Sequence, residues 1–555
     1  MASSSPIWFA VPQWYGIQQQ VDGSLLPVYT AYDARNMETG DGNLSVAKGF
    51  TKHINATVPG SDLILKLVVA RGSGGQMYVV TANNIYAYAN GSWTSIYTFS
   101  PALTATQVDA LQTRIGTADV VLICTGDSQI VKIDTASNTA TLFGAGLYSY
   151  QGTVASYDPD SLTIGLGSAM SDEAIRRALA YGVTYNDIPA DVHDIPDNTH
   201  IVLTAALQAP AVGDSLVIRG GGSDAHCAYA ELYANRMFAA GDPSAPFRLY
   251  WSAVPGDGRT VEDWLGVDGS YDASGGYVEV GDGSADAIIG LTALSNQLIV
   301  WKRYSVWRLY GDRPSTFTLE RVDKESDLMS NAGVVVKYDA PYLLMPNGIY
   351  SYNGVSVVPA DDGTRQLRRF FDDAKPYVGN SRAAFCNNRF YMSCRAGATA
   401  VDYDDTIIVF DIARGSYMIR DGFEIADLTA IGTDIFLINR SRYVYKFETG
   451  TTYDGAPISA YWLTQPIDFG KKMYRHQAMA IYAHITGDEV HTTVFGDYLN
   501  HERSVTPFAI RAGYTTVRFQ TDQSYFVQFE FRNVNGGAFT LHGGINVKVL
   551  SELKE

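Results

Sequence analysis

The tightest group of metal-type ligands in this chain is Asp191, His193, Asp194 and His200. Imidazoles and carboxylates in such a run could hold a transition metal. Their spacing fits no defined site, however, and a turn-rich surface loop accounts for them. Asp402, Asp404 and Asp405 precede the apolar run 406–410. Three acids could bind calcium, but the loop pattern with a distal Glu is absent, so a solvated turn is expected. Arg365, Arg368 and Arg369 beside Phe370-Phe371 form the densest basic patch. It reads as a solvated face next to an apolar anchor, or as a contact for a protein or nucleic acid. The remaining histidines are scattered. Cys124, Cys227, Cys386 and Cys394 form no CxxC pair and sit in or beside apolar runs, the pattern of buried free thiols. There is no Walker loop, no Gly-rich dinucleotide turn, no HExxH and no GxSxG. No catalytic, cofactor-binding or metal site is expected.

The elements that would position these residues follow a repeated hairpin. An apolar run leads through a tight polar turn to Ile or Val and then an aromatic. Residues 77–80 lead through Asn83-Asn84 to Ile85-Tyr86-Ala87-Tyr88; 298–301 lead to Val306-Trp307-Arg308-Leu309-Tyr310; 342–345 lead through Asn347-Gly348 to Ile349-Tyr350; 435–438 lead to Tyr443-Val444-Tyr445. Such alternation around tight turns signals antiparallel strands. Recurrence at roughly forty-five residues is the period of a β-propeller blade.

The spacing predicts seven blade-like units, at 61–99, 110–143, 226–252, 287–321, 331–359, 380–420 and 425–449. The third is the weakest. Residues 144–225 break the period. Ser171-Asp172-Glu173 before 174–180 reads as a capped short helix, and the apolar runs 201–206 and 215–218 read as strands. We expect a small, mainly β domain inserted here. A Gly- and Asp-rich stretch, 253–286, is expected to be a long surface loop. After 452 the strands lengthen (478–484, 489–495, 515–519, 525–531, 538–549), the pattern of a β-sandwich. The expected organisation is an N-terminal arm (1–60), blades (61–143), the inserted domain (144–225), further blades (226–452) and a C-terminal sandwich (453–555). The fold class is all-β.

Composition agrees with that class. The 555 residues include 36 Tyr and 52 Gly, and only 18% are charged. The formal net charge of −17 argues against a surface that grips phosphates, though not against one past which DNA slides. Residues 1–14 lack a basic start and a long apolar segment, so no secretory signal is expected. No apolar run is long enough to span a membrane.

Propeller hydrolases gather acids and arginines around the axis. Arg114, Arg236, Arg303, Arg382 and Arg389 are candidates for such positions, but spacing assigns no acid pair. One stretch carries a resemblance. It runs Arg248-Leu249-Tyr250-Trp251-Ser252, Trp264, Ala287-Ile288-Ile289-Gly290-Leu291, Leu298-Ile299-Val300-Trp301-Lys302, Val306-Trp307-Arg308-Leu309-Tyr310-Gly311-Asp312 and Asn347-Gly348-Ile349-Tyr350-Ser351-Tyr352-Asn353-Gly354. With Ala34-Arg35-Asn36, Lys48-Gly49-Phe50, Tyr461-Trp462 and Asp468-Phe469-Gly470, it resembles the β-propeller structural proteins of tailed bacteriophages, particularly the tail nozzle proteins of short-tailed phages. The resemblance implies a virion component without enzymatic activity. It implies a homo-oligomer, commonly a hexameric ring, with an adaptor ring and fibres as neighbours. Duplex DNA would pass through it without tight binding. Two other readings are weighed beside it: a receptor- or glycan-binding tail propeller, and a propeller glycan hydrolase or lyase, which would need Asp, Glu and Arg in one pocket.

Overall fold

The computed structural model describes residues 5–553 except 72–74, 145–147, 172–173, 176–177, 180–181, 187, 207, 220–224, 257–259, 265–269, 282, 284, 324–326, 362–365, 398–402 and 498–507. The fold is an all-β propeller. Six four-stranded antiparallel meanders cover 64–98, 109–142, 229–279, 288–323, 334–359 and 383–425. A seventh sheet takes three strands from 427–447 and its fourth, Phe50–Lys52, from near the N-terminus. Compactness divides the chain into two units. One comprises 1–71, 75–95 and 326–555; the other comprises 72–74 and 96–325.

The inner strands of the blades are the most buried, usually the second and in the sixth blade the third, Asp404–Asp411. Met77–Thr81 and Leu298–Lys302 are buried at every position. These strands read as continuous apolar runs because both of their faces are covered. Tight turns join them. Between Ala383–Cys386 and Arg389–Cys394, Asn387 and Asn388 take φ of 50° and 61°. Asn tolerates this left-handed pair, which matches the twist of the flanking strands.

The unit holding 326–555 has a second architecture. One sheet orders Ile7–Val11, Ile545–Leu553, Tyr474–Gly487, Phe539–Leu541, Asn43–Val46 and Met37–Gly40, with Gly513–Arg518 also paired to Tyr474–Gly487. A second orders Ala31–Arg35, Tyr461–Thr464, Val527–Asn533, Val490–Gly496 and Phe508–Ile510. The N-terminal residues expected to form an arm therefore have no sheet of their own. They complete sheets whose other strands lie more than four hundred residues away. Trp14 packs edge-on against Trp462 at 5.5 Å and Phe531 at 5.7 Å, joining the first turn of chain to the late strands.

In the other unit, 148–219 form a seven-stranded sheet around Val154, Ile164, Ile201, Leu216 and Ile218. Ser171 Oγ accepts from the Ala174 N–H at 3.1 Å, as a capping residue does. Asp172 and Glu173 lie outside the described residues. The stretch 253–286 is more than a surface loop. Gly276–Glu279 pairs with Ala245–Trp251 as the outer strand of the third blade. Val261, Glu262 and Asp263 are buried. Among the described residues no helix is long and apolar enough to cross a membrane.

Candidate functional site

The expected ligand groups do not converge. His193 and Asp194 lie exposed on the strand Val192–Asp197, whose register is irregular on either side of Asp194. His200 instead meets Asp197 at 2.9 Å. Hydrogen bonds from Thr199, then His200, hold Asp197 down at about 2. Among the described residues no three His, Cys, Asp or Glu are grouped to hold a metal. The acid run before 406 is not a solvated turn. Asp402 lies outside the described residues. Asp404 is buried against Ser393, and burial pushes its carboxyl up to about 6. Asp405 turns the other way and accepts from the N–H groups of Ala396 (2.7 Å) and Gly397 (2.8 Å).

The arginines also scatter. Arg236, fully buried, donates to the carbonyls of Ser252 (2.6 Å), Ser274 (2.7 Å) and Asp272, pinning the loop after the third blade's third strand. Arg303 is exposed beside the Tyr304 ring. Arg114 is exposed, 3.9 Å from Asp119. Arg368 and Arg369 lie on the helix Arg368–Ala374, where each pairs with an acid one turn on, Asp372 (3.2 Å) and Asp373 (3.3 Å). Arg369 also covers the Tyr32 ring at 3.7 Å, and Phe370 and Phe371 are the helix's buried anchor. Arg365 lies outside the described residues. All four cysteines are buried free thiols, and burial raises each thiol above its ordinary range.

Two buried ion networks were not legible in the sequence, because their members are far apart along it. Glu38 accepts from Arg389 Nη2 at 2.6 Å and from Arg420 Nη2. Arg389 Nε reaches Asp411 at 3.1 Å, and Arg420, fully buried, also faces Glu448 at 3.9 Å. Burial raises the Glu448 carboxyl, with Arg420 opposing. This network ties the N-terminal segment to the sixth and seventh blades. Second, Asp427 opens the first strand of the seventh blade and has no exposed surface. It meets Arg382 Nε at 3.2 Å and accepts from the Leu67 N–H at 2.6 Å. It therefore stitches the first strands of neighbouring blades. Arg420, Asp427 and Arg382 are almost wholly buried, while Glu38, Arg389 and Glu448 keep about a fifth of their side chains exposed, and in both networks the arginines are spent on acids that hold neighbouring strands together.

In the other unit, Glu231 lies on Tyr229–Tyr233, beside the strand Asp109–Ile115. Burial, then the neighbouring Asp109, pushes its carboxyl up to about 8, against the N–H groups of Leu232 and Ala293. The same unit carries an open cleft of about 850 Å³. Its lining comes from the turns 232–235, 294–296 and 311–312, together with Arg114, Pro255 and Val261. On the sheet that holds Tyr474–Gly487, Tyr514 is 72% exposed and lies flat on His484, ring centres 3.9 Å apart; Tyr482 adjoins Tyr514 and His542 adjoins His484. Their strands meet only in the fold, so sequence reading missed this face too.

No family model and no curated protein sequence matches the chain. Solved structures similar to it are propellers of low likeness. Virginiamycin B lyase from Staphylococcus aureus with quinupristin is 10% identical at a TM-score of 0.36, covering 70% of this chain and 96% of that one. BamB from Moraxella catarrhalis is 11% identical at 0.36, covering 72% and 99%. The Pan2 WD40 domain from Neurospora crassa is 8% identical at 0.33, covering 72% and 95%. Likenesses this low decide nothing about function, and the fold rests on the strand pairing itself.

Proposed function

We propose that this chain is a non-enzymatic structural protein of a bacteriophage tail. In this reading it is a nozzle-type subunit that assembles, commonly as a hexameric ring, at the point where DNA leaves the virion. It would dock an adaptor ring and fibres. The observation that carries the reading is where the positive charge goes. Arg236, Arg382, Arg389 and Arg420 give their donors to buried carbonyls and carboxylates, and Arg368 and Arg369 pair with acids on their own helix. The net charge is −17, so the surface on average repels phosphate. A conduit for DNA needs that property, because each phosphate neutralised by Lys or Arg releases counterions and adds affinity.

Two further features support the reading. Interleaving of the first fifty residues with the late sheets suits a part that must hold its shape under load. The exposed Tyr482–His484–Tyr514 face is the kind of aromatic patch that marks a contact surface. Titration of the purified protein with duplex DNA near physiological salt tests the reading. Weak binding is expected. Sub-micromolar binding with a steep salt dependence would reject the conduit.

A further inference from the structure

We propose that the cleft formed by the turns 232–235, 294–296 and 311–312 binds a short neutral oligosaccharide. At about 850 Å³ it falls in the size range of small-ligand sites, roughly 300–1,000 Å³. Four apolar side chains line it: Val261 and Leu294, which are buried, Leu232, and Pro255, which is exposed. Five polar side chains that line it are exposed: Arg114, Asn235, Ser295, Asn296 and Asp312. Sugars present the matching pair of surfaces, C–H faces for the apolar side chains and hydroxyls for the polar ones. A hydroxyl both donates and accepts, and so does each amide side chain at Asn235 and Asn296.

The wall is set in advance. The Tyr233 hydroxyl donates to the Asn296 carbonyl at 3.0 Å and meets the Gly311 N–H, so one side chain braces all three turns. A braced site loses less freedom when a ligand arrives.

Charge argues against a strongly anionic ligand. Among the described residues the lining holds one cation, Arg114, and one anion, Asp312, which cancel. Arg114 already faces Asp119 at 3.9 Å, so no cluster of guanidinium groups awaits a phosphate. Cleavage is not part of the inference. Asp312 is the single carboxylate among the described lining residues, and glycoside hydrolysis uses two flanking the bond. Thr316, then Arg313, holds Asp312 below the usual carboxylate range.

This inference does not depend on the tail reading, and its test reads separately. The full-length protein is applied to an array of neutral and anionic oligosaccharides, and each hit is titrated by calorimetry. At least one neutral tri- or tetrasaccharide should bind with a dissociation constant of order 0.1–1 mM. Arg114→Gln and Asn296→Ala should each weaken it by about tenfold, and Ser295→Trp, which fills the cleft, should abolish it. Melting temperature and oligomeric state serve as controls and should match the unsubstituted protein. No neutral hit, binding that survives all three substitutions, or binding confined to anionic sugars and lost with salt would each overturn the proposal. Ring assembly can succeed or fail independently of every one of these outcomes.

Discussion

Replacing Glu38 by Gln should loosen the N-terminal segment while leaving the other unit untouched. Glu38 accepts from Arg389 at 2.6 Å and from Arg420, whose side chain has no exposed surface. Removing one partner of a buried ion pair costs about 3–5 kcal/mol, since a charge is left unpaired in a poor solvent. Two features reduce that figure here. The Glu38 side chain is 21% exposed, and Gln keeps one oxygen to accept from one guanidinium. Asp411, 3.1 Å from Arg389, remains in place. The expected loss is about 2–3 kcal/mol, roughly a 30- to 150-fold rise in local opening. Hydrogen exchange read by mass spectrometry on peptides covering 31–46 and 416–425 measures this directly. Peptides from 109–142 serve as the internal control. Glu38→Met combined with Arg420→Met should recover part of the loss, because the buried guanidinium is removed with its partner while Glu448 gives up Arg420. A change under about threefold in Glu38→Gln, or one spread equally over 109–142, would refute the claim that this network anchors the N-terminal segment.

Three more outcomes follow from the geometry. Asp404 has a folded-state carboxyl pushed up to about 6 from an ordinary 3.8, so its contribution is full below the ordinary value and lost as pH rises through 6. Asp404→Asn should therefore flatten the stability loss that the native chain shows between about pH 4 and about pH 7, measured by denaturant midpoint; an unchanged slope contradicts the burial argument. Gly49→Ala should destabilise the seventh blade by several kcal/mol, about 3 or more, because a Cβ there would run into the Thr452 carbonyl beside the closing strand. Exchange protection at 50–52 and 444–447 reads that loss, and full protection would disprove it. Replacing 148–219 by a short linker should leave the blades folded, since Val154, Ile164, Ile201, Leu216 and Ile218 form a cluster of their own; loss of cooperative unfolding in the deletion would count against that independence.

The blades were legible in the sequence because each is local. A hairpin such as 342–352 pairs residues only a few positions apart, so its alternation and its Asn347-Gly348 turn carry the whole signal. The late strands were readable for the same reason: the run expected at 478–484 is the core of Tyr474–Gly487. What escaped is long-range. Phe50–Lys52 looks like loop because its partner, Val444–Phe447, lies almost four hundred residues on. The third blade looked weak because a long excursion separates its outer strand, Gly276–Glu279, from Ala245–Trp251. The same limit applies to sites. Glu38 with Arg420, Asp427 with Arg382, and the cleft turns at 232–235 and 294–296 meet only once the sheets have formed. Residues close in sequence misled for the complementary reason. Asp404 and Asp405 are neighbours on one strand, so pleating sends them to opposite faces, one into the core and one to the loop at 396–397.

Electron cryomicroscopy of assembled particles carrying this chain tests the central proposal most directly. The account predicts a closed ring of several copies, six in the commonest arrangement of such proteins. Its channel should be wide enough for duplex DNA, with an acidic or neutral wall, and Arg368 and Arg369 should lie away from that wall. A single copy per particle, a trimeric fibre, or a channel ringed with unpaired arginines would contradict it.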